Sequence, residues 1–194
     1  MLTMDDIVRE GHPALRKPAE EVPVPLSEED RQTLEDMMQF LRNSQDPETA
    51  ETYGLRPGVG LAAPQINVSK NMFVVRFAEE DEEPIEMTFV NPKIISHSAE
   101  TTHLPDGEGC LSVDRSVEGT VPRYSRVKVE ATDENGHSFT IRLRGFFAIV
   151  FQHEFDHLNG IMFYDRIDGD DPYKEDVPPA LKVIRSQDDT PLSF

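Results

Sequence analysis

Residues 145–160 read GFFAIVFQHEFDHLNG, and the way this stretch folds decides how the rest of the chain is arranged. Its apolar residues run together instead of alternating, which suits a helix buried on most sides, and Asn159-Gly160 supplies the C-terminal stop. Inside it lies His153-Glu154-Phe155-Asp156-His157, an HExxH motif. On a helix, residues i and i+4 sit one turn apart on one face, so both imidazoles can aim at a single metal ion. Glu154, next to the first histidine, can then reach a polarised water without being a ligand. Two neutral nitrogen ligands, a polarised water and an adjacent base are what a hydrolase needs. The bland alternative is a pair of helix histidines satisfied by hydrogen bonds. It leaves two unliganded histidines and two carboxylates on a buried helix, which is costly.

A metal site needs a third ligand. The pattern HExxHxxGxxH matches at Gly160 but ends at Phe163, which cannot ligate. A downstream glutamate would serve, but the only one is Glu175, in a Pro- and Asp-rich tail. That leaves Cys110, the single cysteine, whose thiolate suits zinc or ferrous iron. Its context is EGCLS, residues 108–112, where the glycine allows close backbone approach. A lone cysteine is also often a small buried hydrophobe, and that reading competes with the ligand role here.

Upstream of the helix, residues 126–132 alternate, Asn135-Gly136 marks a tight turn, and Phe139, Ile141 and Leu143 alternate again, which predicts a β-hairpin. Met72 to Phe77 and Met87 to Val90 predict two further strands, separated by the acidic run EEDEEP at 79–84. That run lacks the ligand spacing of a calcium loop and is expected to be a solvated hairpin loop. Ser27 and Asp30 have capping-box spacing, and Leu34, Met37, Met38 and Leu41 recur at helical intervals, with the methionines as core filling. Residues 3–10 predict a short helix, and Asn43 to Pro57 a long polar surface excursion with one helical turn near Pro47. The segment 168–194 is an acidic, proline-broken tail in which only Ala180 to Arg185 suggests an ordered element. With no internal repeat and no domain boundary, the expectation is one α+β domain over 1–194, with β-sheets enclosing a central helix that carries the HExxH motif.

Composition narrows the function classes. The chain has 194 residues and a formal net charge of −18, enough for one real core and too short for two comfortable ones. That acidity argues against general binding to nucleic acid or to anionic membranes. One cysteine excludes an intramolecular disulfide. The start, MLTMDDIVRE, has neither the basic nor the apolar region of a secretory signal, and the apolar run FFAIVF at 146–151 is too short to span a bilayer. A cytoplasmic, reducing location is the expectation.

Three segments, GVGLAAPQ at 58–65, EGCLS at 108–112 and QHEFDHLNG at 152–160, in this order and combination resemble the peptide deformylases. These enzymes remove the N-formyl group from nascent bacterial polypeptides. The similarity runs from about Ile7 to Ile167 and implies the deformylase fold. It implies Cys110, His153 and His157 as ligands of one divalent ion, ferrous iron in the cell, with zinc, nickel or cobalt in purified samples. Glu154 would be the base and then the acid, while Gln65 and the backbone N–H of Leu111 would face the oxyanion. Gly60 and Gly109 would hold the substrate's main chain. Val59, Phe146, Ile149, Val150 and the ring of His153 would line the methionine pocket. The partner implied is the nascent N-formylmethionyl polypeptide.

The longer stretch 43–57, the continuation VDRSVEGTVPR after EGCLS, and the lack of a clearly basic C-terminal helix resemble the longer class found in Gram-positive bacteria. Any transient ribosome contact would need a local basic patch, for which Arg123, Arg126, Lys128, Arg142 and Arg144 are candidates. As alternating strand residues they also fit a plain solvated face, and Arg123 would alternatively pair with Glu108, as similar proteins suggest. Two other classes compete. One is a metallopeptidase of another zincin type with Cys110 merely packed; the other is a metal-binding scaffold without a base. Glu154 and Gln65, both in place, speak against the scaffold.

Overall fold

The run MFVVRF forms strand β2, Met72–Phe77, and it is apolar because the protein covers both of its faces. Phe73, Val75 and Phe77 join one buried cluster, while Met72 and Val74 join another on the opposite face. A strand buried on both sides reads as a continuous apolar run and not as an alternating one. The computed structural model describes residues 1–78 and 83–174. In it, β2 lies second in a five-stranded antiparallel sheet ordered β1 (Gly60–Ala62), β2, β3 (Ile85–His97), β6 (Arg126–Thr132) and β7 (Ser138–Arg144). Strands β4 (Thr101–Thr102) and β5 (Arg123–Tyr124) form a separate ladder.

Helix α1, Glu28–Gln45, packs on one face of β2 through Leu34, Met37, Met38 and Leu41, so the expected methionine core is present. Ser27 caps it, its Oγ accepting the Asp30 N–H at 3.1 Å. Helix α3, Gly145–Leu158, covers the other face, and all of its residues except Gly145, Phe147 and Phe155 are buried. Phe73, its register partner Phe89, and Phe151 of α3 form a ring cluster with centroids 4.9 to 5.3 Å apart. Such edge and offset contacts lock the helix on the sheet.

The hairpin forms as expected, with Arg126 opposite Arg144, Lys128 opposite Arg142, and Gly136 taking φ +86° in the turn. Strand β3 is longer than the apolar signal, continuing past Val90 to His97. Its register shifts around Asn91 and between Ile94 and Ser96, and its outer half exposes alternate residues, which hides the strand from a hydrophobic reading.

The excursion after α1 is more ordered than a single turn. Pro47–Tyr53 form α2, capped by Asp46 and closed by Gly54 at φ +61°. The short helix expected over 3–10 does not form. Asp6 closes a turn on Thr3, and the chain then runs out to donate Val8 N–H to Gln65 O and Glu10 N–H to Ser112 O, both at 2.8 Å. Those tertiary bonds use the donors a helix would need. Residues 79–82 of the acidic run and the expected element at Ala180 to Arg185 lie outside the described residues.

Candidate metal centre and active site

Strand β7 passes straight into α3 through Gly145 at φ +58°, so the sheet itself aims the helix. His153 and His157 then fall one turn apart with ring centroids 5.0 Å from each other. Cys110 lies outside regular structure, in the segment between β4 and β5, and its Sγ is 3.3 Å from His157 Nε2. One ligand atom from each of Cys110, His153 and His157 lies within 4.8 Å of the others, and all three residues are buried.

Charge around the cluster is ordered in a chain. Glu108 Oε2 is 2.8 Å from His153 Nδ1, which leaves that ring's other nitrogen for the centre. Arg123, from β5, holds Glu108 through two bonds of 2.8 Å and donates to Asp156 Oδ2 at 2.6 Å; Arg166 adds a second cation on Asp156. Burial alone would raise the Glu108 carboxyl, but the Arg123 charge and hydrogen bonds hold it at about 2. The histidines are pushed the other way by burial, His157 well below its ordinary value, so both imidazoles are neutral, the form that ligates. Burial pushes the Cys110 thiol up to about 12, so a thiolate persists here only with a cation beside it.

Both oxygens of Glu154 are buried without a hydrogen-bond partner among the described residues. Burial first, and then the negative charge of Glu108, raise this carboxyl well above the usual range. An unsatisfied buried carboxyl beside a Cys–His–His cluster fits a site completed by a cation and water. Soft sulfur with two imidazoles is the donor set of zinc or ferrous iron.

Gln65 sits in a 3-10 turn, Ala63–Ile66, with its Oε1 accepting the Ala62 N–H at 2.8 Å. That bond turns its Nε2 toward Cys110 Sγ at 3.5 Å and Ser112 Oγ at 3.3 Å. Gly60 of β1 packs against the Glu154 side chain: a Cβ there would stand 2.3 Å from Glu154 Oε1. Gly60→Ala should therefore displace the carboxyl and cut hydrolytic turnover by about 100-fold with bound metal unchanged, as read by activity and metal content. Unaltered turnover would mean that the strand yields instead. Gly109 is half-buried between Glu108 and Cys110. Val59, Phe146, Ile149 and Val150 share one buried apolar cluster, whereas the Leu111 side chain belongs to the cluster under α1. Phe163, where a third histidine would stand in another zincin, stacks on the His153 ring at 5.9 Å.

One set of candidates needs correction. Arg123 is not part of a solvated basic face; its side chain is 1% exposed and fully engaged with Glu108 and Asp156. Arg126, Arg142 and Arg144 are exposed and Lys128 half-buried, on one face of the hairpin. Two contributors escaped the sequence reading. Asp156 stands at a variable position of HExxH and carries no signal of its pairing, and Arg56 precedes the glycine-rich segment in a stretch read as surface.

A family model, Polypeptide deformylase, matches residues 4–172. The chain belongs to the polypeptide deformylase family. It is 62% identical to the peptide deformylase of Halalkalibacterium halodurans over 93% of this chain and all of that one. Against peptide deformylase 2 of Bacillus subtilis the identity is 55%, over 90% of this chain and 95% of that one. The fold is shared with the deformylase structures of Thermus thermophilus (TM-score 0.68, 34% identity, 84% of this chain and 85% of that one) and Thermotoga maritima (0.65, 35%, 84% and 96%). The expected α+β deformylase fold and the metal-dependent hydrolase class both hold, and the enzyme removes the N-formyl group from nascent polypeptides.

Proposed function

We propose that this deformylase divides its reaction among the residues as follows, a reading carried by the meeting of Cys110, His153 and His157 beside the unpartnered carboxyl of Glu154. The three residues hold one divalent ion, which when bound supplies Lewis acidity to water and to the formyl oxygen. Glu154 takes the proton of the attacking water and returns it to the departing amine, so one carboxyl serves both transfers. Gln65 Nε2 and the Leu111 N–H donate to the formyl oxygen as it gains charge. Gly60 and Gly109 offer backbone groups to the substrate main chain. Val59, Phe146, Ile149, Val150 and the His153 ring receive the methionine side chain, whose thioether suits an apolar wall. Formate and a free N-terminal methionine leave.

Ferrous iron is the proposed cellular ion, with zinc, nickel or cobalt substituting in purified samples, since thiolate–imidazole ligation accommodates all of them. A cytoplasmic location fits a free buried cysteine, and no helix among the described residues is long and apolar enough to cross a membrane. A single catalytic domain over 1–194 is part of the same reading. Any ribosome contact would use Arg126, Lys128, Arg142 and Arg144; general nucleic-acid binding is disfavoured by the charge of −18.

The test compares formylmethionyl peptides with the same peptides unformylated, for the wild type and Cys110→Ala. Turnover confined to the formylated peptide, with metal content and activity both lost in the variant, is expected. Metal and turnover that survive the substitution would remove the thiolate from the ligand set.

A further inference from the structure

We propose that Arg56 is a positioning residue for deformylation, holding and polarising the Cys110–Leu111 peptide so that its N–H faces the formyl oxygen. The inference rests on the reading of that N–H as an oxyanion donor. Arg56 Nη2 donates to Cys110 O at 3.1 Å and to Val113 O at 3.2 Å, while Nη1 donates to Asp114 Oδ1 at 2.9 Å and lies 3.4 Å from Leu111 O. One guanidinium thus spans three main-chain carbonyls of the turn that begins at Cys110, those of Cys110, Leu111 and Val113.

The Cys110 carbonyl and the Leu111 N–H are opposite ends of one planar trans unit, so fixing the oxygen fixes the direction of the hydrogen. The same oxygen accepts the Val113 N–H at 3.1 Å, which leaves the Arg56 bond to hold the plate from a second side. A cation on the carbonyl oxygen also draws density from the amide and strengthens its N–H as a donor.

Arg56 is itself held. Asp114 is shared with Arg9 Nε at 3.0 Å. Two residues on, Gly58 gives its carbonyl to Gln45 Nε2 at 2.6 Å and its N–H to Ser44 Oγ at 3.3 Å. A Cβ on Gly58 would stand 2.9 Å from Leu111 Cδ1, so the glycine-rich segment and the cysteine-bearing turn are in contact. The side chains of Arg56 and Asp114 are 35% and 64% exposed. An ion pair that open contributes little to stability. A lysine cannot reproduce the carbonyl contacts, because a single ammonium lacks the planar fork.

The test uses the metal-loaded full chain, with Arg56→Gln and Arg56→Lys measured beside Gln65→Leu for kcat, KM and metal content on a formylmethionyl peptide. Arg56→Gln should lower kcat about tenfold, less than the roughly 100- to 1,000-fold cost of deleting a donor outright. KM should stay within about twofold, the split expected when an interaction matters only in the transition state. Arg56→Lys should recover only a small part, and it carries the test alone if the glutamine variant does not fold. A kcat unchanged in the Arg56 variants while Gln65→Leu still slows the reaction overturns the proposal. A loss of activity in step with loss of metal also overturns it, by assigning Arg56 to the integrity of the ligand. If neither Gln65→Leu nor the Arg56 variants change kcat, the oxyanion reading itself fails and takes the proposal with it.

Discussion

Glu154→Gln should slow formate release by about 100- to 10,000-fold, the range that a positioned acid–base group contributes. Glutamine keeps the shape of the side chain, so the contact with Gly60 survives and the Cys110, His153 and His157 cluster is undisturbed. What disappears is a group that can accept the water's proton and then release it. The buried, unpaired state of both carboxyl oxygens leaves no structural use for this group among the described residues. Elemental analysis should find the same metal content as in the wild type. Full activity at equal metal content would exclude Glu154 from the proton transfers.

Arg123→Met should be the most damaging single change for stability. The guanidinium neutralises Glu108 and Asp156, and none of the three side chains is more than 4% exposed. Removing one member of a buried ion cluster leaves uncompensated charge and costs about 3–5 kcal/mol. For a chain of this length that lowers the melting temperature by about 10 °C. Glu108 would also lose its anchor and turn away from His153 Nδ1, which should weaken metal binding by about 10- to 100-fold. Thermal denaturation and metal titration check the two effects separately. A shift of only a degree or two would mean that water enters and solvates the orphaned Glu108, since Asp156 keeps Arg166.

The site was legible where chemistry and pattern coincide in a few adjacent residues. His153, Glu154 and His157 are readable because a helix brings i and i+4 together without help from the rest of the fold. Cys110 stood out as the one thiol available to a two-histidine site, with the packed-cysteine reading beside it until the EGCLS resemblance favoured a ligand. Arg123 offered two readings, a solvated strand cation or a partner of Glu108, and only the β4–β5 ladder decides between them. Residues 3–10 misled because local propensity was outweighed by hydrogen bonds to Gln65 and Ser112, more than fifty residues away. Arg56 gave no signal because its contacts with the Cys110 turn are made to backbone carbonyls, which any residue type supplies. The strand β2 was legible in kind, and only the structure explains why Met72 to Val75 are apolar without alternating.

Cys110 and His157 are 47 residues apart in sequence, and Sγ of the one lies 3.3 Å from Nε2 of the other. The stretch between includes the part of the β4–β5 segment that follows Cys110, whose apolar support is a small cluster around Leu15, Val113, Val121, Met162 and Phe163. Shared ligation of one ion by the two side chains would close that stretch into a ring, and closing a loop of such length would remove several kcal/mol of freedom from the unfolded chain, about what a disulfide achieves. The chain has no second cysteine with which to make that bond. A metal held there would therefore double as a reversible cross-link, tethering the cysteine-bearing loop to the helix through its own ligand atoms.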